Sequence, residues 1–161
     1  MKTVEIIGKN YIGRAARTRI ACRGVIFEDG KILLSHERNT GWYLIPGGGL
    51  EDGESIADCC VRELREETGW QVKPAECFLT LTEYYGAWCY ISHYFRCEAV
   101  SQSFPQLTPL EAERGLTPEW VVFEDAVQLF GDHVNLTHYE EKRGTYQREH
   151  LSLLTFREQY L

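Results

Sequence analysis

Between Pro46 and Trp70 the chain reads PGGGLEDGESIADCCVRELREETGW, a Gly-rich turn set directly before a helix. Glu54 and Ser55 open that helix and Gly69 stops it. At ~100° per residue, Glu63, Glu66 and Glu67 fall within an arc of roughly 100° on one face. Glu63 and Glu67 form a like-charge i,i+4 pair, which destabilises an isolated helix by ~0.2–0.5 kcal/mol. A hard divalent cation held by carboxylate oxygens compensates such a cluster directly. Ala57, Cys60, Val61 and Leu64 occupy a second arc that can pack on a sheet, while Asp58 and Arg65 point to solvent.

The same block resembles the signature of the Nudix hydrolases. The positions that carry the resemblance are Gly48, Glu54, Arg62, Glu63, Leu64, Glu66, Glu67, Gly69 and Trp70, nine positions over 23 residues. Trp70 alone departs, aromatic where an aliphatic residue is usual, which concerns packing rather than chemistry. Taken alone, an acidic helix face reads as solvated surface; the glycine turn and the fixed spacing set that reading aside. The resemblance implies an α/β fold, an α/β/α sandwich around a mixed β-sheet. It also implies a metal site of Gly47, Glu63, Glu66 and Glu67 holding Mg²⁺ or Mn²⁺, and hydrolysis of a diphosphate linkage.

Arg62 is flanked by acids and can fork onto a neighbouring carboxylate, with Glu54 the expected partner. Members of the family differ in whether the general base is a glutamate of the signature or one from a later loop. Arg62, Glu63 and Glu66 are therefore the expected catalytic residues of the block. Glu113 is the preferred later glutamate, among Glu111, Glu113 and Glu119. Substrate contacts are less legible. Arg23 and Arg38 can meet phosphates or make surface ion pairs, and Trp42, Tyr84, Tyr85 and Trp88 can stack on a base or belong to a core. Of these, Arg23, Arg38, Trp42 and Tyr85 are taken as the substrate-binding candidates.

At 161 residues the chain is expected to form one Nudix-type domain over residues 1–161. Its net charge of −7 argues against long nucleic acid as a partner, because polyanion-binding surfaces carry a basic excess. No apolar run approaches the ~20 residues needed to span a bilayer, and the first residues do not form a convincing signal peptide. None of the six cysteines has CxxC spacing, so buried free thiols in a reducing compartment are expected, with a cytoplasmic location. The expected partner is a small nucleotide, and the chain a monomer or homodimer.

Along the chain, Thr18–Phe27 and Lys31–His36 read as strands joined by a tight turn at Glu28-Asp29-Gly30. Trp42–Ile45 is a short strand leading into the glycines. Cys77–Tyr85 and Trp88–Val100 read as a hairpin turning at Gly86-Ala87. Ser101–Pro118, with its three prolines, reads as a long loop; Glu119–Phe123 reads as a last strand and Glu124–Phe130 as a short helix. An amphipathic helix is expected over Gln147–Tyr160.

The rival to a hydrolase is a nucleotide-sensing module, and among hydrolases the alternative is a nucleoside triphosphate pyrophosphatase. The intact acidic block favours an enzyme.

Overall fold

A computed structural model describes residues 1–161. Eight strands form one mixed sheet: β1 (Lys2–Ile7), β2 (Arg17–Glu28), β3 (Lys31–Glu37), β4 (Trp42–Leu44), β5 (Gly47–Gly49), β6 (Trp70–Tyr85), β7 (Trp88–Gln102) and β8 (Leu116–Val122). Their order is β1-β6-β7-β2-β3-β4, with β5 added to β2 and β8 to β3. β1·β6 and β2·β7 are parallel, and the remaining pairs are antiparallel. Helix α1 (Ile56–Thr68) covers one face, while α3 (Phe123–Gly131) and α4 (Glu140–Tyr160) cover the other. This is the expected α/β/α sandwich.

Period-two alternation along β2 divides the core. Cys22 and Ile26 face α1, where they meet Cys59, Cys60 and Leu64. Val25 faces the opposite way, into a cluster with Leu81, Tyr94, Phe130, Leu153 and Phe156. Leu64 is fully buried, worth about 1.5–3 kcal/mol of transfer free energy, and it seats α1 against Gly24 of β2. A Cβ at residue 24 would lie 2.6 Å from Leu64 Cδ2, so the glycine sets how closely helix and strand approach.

Several boundaries differ from the sequence reading. β1 was not expected; it pairs in parallel with β6, far along the chain, and its exposed side chains give it no strong apolar alternation. The expected loop over Ser101–Pro118 instead holds α2 (Pro109–Arg114). Thr108 caps this helix in a reciprocal capping box with Glu111, Pro109 sits in its first turn, and Gly115 ends it at φ 70°. β8 begins at Leu116 rather than Glu119, and Pro118 is tolerated because β8 is an edge strand paired only to β3. α4 starts at Glu140 rather than Gln147, and β6 starts at Trp70 rather than Cys77. All six cysteines are free, five of them buried. No helix is long and apolar enough to cross a membrane.

Candidate active site

The site is assembled where β5 and α1 meet. Ser55 caps α1 by accepting from the Asp58 N–H at 3.1 Å, and Gly69 ends it in the left-handed region at φ 76°. β5 lies antiparallel to β2 with Gly47 opposite Arg23 and Gly48 opposite Cys22. The two glycines are required for different reasons. Gly47 has φ 146°, and a Cβ there would lie 2.1 Å from the Cys22 carbonyl oxygen. At Gly48 a Cβ would instead lie 2.4 Å from Glu63 Oε2, so the bare backbone makes room for a carboxylate.

Arg62 is the hub. Its Nε and Nη2 fork onto Glu54 at 2.8 and 2.9 Å, the pairing expected from the sequence. Nη2 also donates to the Gly49 carbonyl at 2.9 Å, and Nη1 reaches Glu63 at 2.8 Å and Glu66 at 3.4 Å. One guanidinium thus ties the turn, the start of the helix and two of its acids. The hydrogen bonds from Arg62 are the main reason the Glu54 carboxyl is held down at about 2.

Glu67 points beneath the turn. Its Oε2 accepts from the Gly47 N–H at 3.1 Å and the Ser35 hydroxyl at 3.0 Å, which leaves Oε1 for a ligand. Burial pushes its carboxyl up to about 8, against the opposing pull of the Gly47 and Ser35 donors and the Arg23 charge. Glu63 is also raised, chiefly by burial, with Arg62 opposing and the charges of Glu66 and Glu111 adding. Oxygen donors on one helix face, two of them held back from ionising chiefly by burial, are the donor chemistry a hard divalent cation needs. As the side chains stand, no three of them converge tightly enough to enclose an ion, and Arg62 Nη1 lies against both Glu63 and Glu66.

The later glutamates separate clearly. Glu111, on the first turn of α2, is near enough for its charge to act on Glu63, and its Oε2 accepts from the Thr108 N–H. Glu113 is exposed, and the contact made there is through its backbone carbonyl, which accepts from Asn39 at 2.7 Å. Glu119 faces His36, at 2.8 Å, and the Tyr43 hydroxyl. The connection between β7 and α2 is stitched to the end of α1, because the Gln106 N–H donates to the Glu66 carbonyl and the Ser103 N–H to the Gly69 carbonyl.

Substrate candidates are scattered. Arg23 is largely buried; its Nη1 donates to the Ile45 carbonyl at 2.9 Å. Arg38 is exposed and donates to the Thr117 hydroxyl. Trp42 stands at the edge of the sheet with the Lys142 ammonium 5.8 Å from its ring centroid. Tyr85 lies at the far end of β6 from α1, packed against Gly8 and Gly144. Tyr84 packs on Tyr11 and Trp88 on Tyr90. The structure therefore gathers Arg62, Glu63, Glu66, Glu67 and Gly47 and leaves Arg38, Trp42 and Tyr85 apart from them. Ser35 escaped the sequence reading because no local pattern marks a strand serine as the donor to a helix carboxylate.

The profile of the NUDIX domain matches residues 17–157, and the chain belongs to that family. It is similar to the uncharacterized Nudix hydrolase YvcI of Bacillus subtilis, 49% identical over 45 residues covering 28% of each chain. It is also 43% identical over 81 residues to the ADP-ribose pyrophosphatase of Methanocaldococcus jannaschii, covering 41% of this chain and 48% of that protein. The matches thus span less than half the length of these curated relatives. Among solved structures, a NUDIX hydrolase from Nitrosomonas europaea superposes with a TM-score of 0.57 at 27% identity, covering 66% of this chain and 74% of that one.

Proposed function

We propose that this chain is a divalent-metal-dependent pyrophosphohydrolase that cleaves the diphosphate linkage of a nucleoside diphosphate joined to another moiety. The observation that carries this reading is the Arg62 hub, which fixes Glu54, Glu63 and Glu66 beside a half-buried Glu67 under a glycine turn. Membership of the NUDIX family and the relative named for ADP-ribose support it.

Glu63, Glu66 and Glu67, with the Gly47 carbonyl, would hold the ion, Mg²⁺ or Mn²⁺, which when bound neutralises phosphate oxygens and lowers the pKa of water. The protein's own part is positional and basic. Arg62 fixes the acids, and the Ser35 and Gly47 donors fix one oxygen of Glu67 so that the other faces the cleft. Of the α2 carboxylates Glu111 is the one whose charge reaches Glu63, which supports it over Glu113 as the group that takes the proton from the attacking water. The substrate is a small nucleotide, and the free thiols and absence of basic excess support a reducing, cytoplasmic setting without long nucleic acid.

The test is product release from ADP-ribose, nucleotide sugars, dinucleoside polyphosphates and nucleoside triphosphates with Mg²⁺ or Mn²⁺, wild type beside Glu66→Gln. Turnover of a diphosphate-linked substrate, lost in the variant, is expected. Release of inorganic pyrophosphate from triphosphates alone would move the assignment to a triphosphate pyrophosphatase. Ligand binding without turnover of any substrate would make the chain a sensor.

A further inference from the structure

The face of the sheet opposite α1 carries four charged groups in its core. Glu149 of α4 is 0% exposed and Glu83 of β6 is 3% exposed, and the Arg23 and Arg148 side chains are each 12% exposed. Arg148 donates to Glu149 Oε1 at 2.8 Å, to Glu83 at 3.4 Å and to the Tyr94 hydroxyl at 3.1 Å. Tyr94 in turn donates to Glu149 Oε2 at 3.2 Å. Glu149 is thus held on both oxygens. Arg23 is the loose member: its Nε lies 3.8 Å from Glu149 Oε1 and is buried without a hydrogen-bond partner.

A buried ionic network of this size adds little stability over an apolar core of the same volume, so its geometry calls for another reason. That reason lies at the other end of Arg23. Its backbone pairs with Gly47, and its Nη1 donates to the Ile45 carbonyl. The Gly47 N–H then donates to Glu67. A continuous set of contacts runs from Arg148 and Tyr94 through Glu149 and Arg23 to residues 45–47, and from there to a carboxylate of the metal site.

We propose that Glu149 is a positioning residue: from the C-terminal helix it aims Arg23, which holds the turn at Ile45–Gly47 in the form that presents Glu67. The metal consequence rests on the function proposed above; the positional one does not. Such outer partners typically change metal affinity by roughly 10–100-fold when altered.

The test uses Glu149→Gln and Arg23→Lys, with Glu83→Gln as a control that touches Arg148 but not Arg23. Two quantities are read on folded, full-length protein. The first is hydrogen exchange at the Gly47 amide without metal, and the second is Mn²⁺ affinity by electron paramagnetic resonance. Exchange at Gly47 should quicken roughly tenfold in both test variants while amides of β6 keep wild-type protection. Mn²⁺ should bind roughly tenfold more weakly in both, with Glu83→Gln within about twofold of wild type. If Glu149→Gln does not fold, Arg23→Lys decides, since it keeps a cation beside Glu149 but lacks the second donor for Ile45. Wild-type exchange at Gly47 in the folded variants, or equal loosening in Glu83→Gln, overturns the relay. Failure of the wild type to bind Mn²⁺ would overturn the metal reading instead, and the exchange result would still judge the relay.

Discussion

Gly47 and Gly48 are neighbours, and replacing each by alanine should fail in opposite ways. At residue 48 the new methyl would sit 2.4 Å from Glu63 Oε2 and 2.6 Å from its Cδ, against about 3.4 Å for ordinary contact. The obstacle is the end of a flexible side chain, so the fold survives and the carboxylate retreats by about 1 Å. Misplacement by that distance costs on the order of 10²-fold in rate, about 2.7 kcal/mol of transition-state stabilisation. Loss of folding stability should stay within about 1 kcal/mol, since only the Glu63 arm of the Arg62 hub is disturbed. At residue 47 the methyl would lie 2.1 Å from a backbone oxygen, at φ 146°, and neither can yield. Overpacking and backbone strain together cost about 2–6 kcal/mol there, which for a chain of this size lowers Tm by roughly 5–20 °C. Calorimetry and steady-state turnover on the two purified variants separate the cases. Turnover by Gly48→Ala within about threefold of wild type would refute the claim that this glycine exists to make room for Glu63.

Two further outcomes follow from the hub and from α2. The Glu54 carboxyl is held at about 2, below its ordinary value of 4.5, so its stabilising contribution is fully present above pH 4.5 and is lost as pH falls from there through about 2. Arg62→Leu should flatten that part of the stability curve in urea titrations between pH 5 and about pH 2.5, and an unchanged slope would contradict the pairing. Glu111→Gln should lower kcat by roughly 10²–10⁴-fold while Glu113→Gln stays near wild type; the reverse order would return the base to Glu113.

The parts legible in the sequence are those fixed by local chemistry. Ser55 and Gly69 bound α1, the tight turn at Asp29-Gly30 joins β2 to β3, and the pairing of Arg62 with Glu54 spans barely two turns of chain. α2 was legible in principle, because Thr108, Pro109 and Glu111 spell a capping box, but the prolines around it read as loop. β1 was not legible, since an exposed edge strand paired with a distant segment leaves little local trace. The early part of α4 escaped for a related reason: over Glu140–Tyr146 it is mostly charged and carries Gly144, and only Gly144 and Tyr146 are buried there, so no apolar repeat marks it. Arg23 was picked out as a candidate phosphate contact, but its buried surroundings were not legible, because its partners come from β5 and α4, which sequence spacing does not relate.

The connection between β7 and α2 is sewn to the end of α1 at Ser103 and Gln106, and between the stitches Phe104 stands 91% exposed. In engineering terms this makes residues 104–105 a splice point. A peptide inserted there would leave both anchoring amides, the end of the carboxylate helix and the cap of α2 in place. New sequence can therefore be carried at this loop while the carboxylate helix beneath it stays as it is.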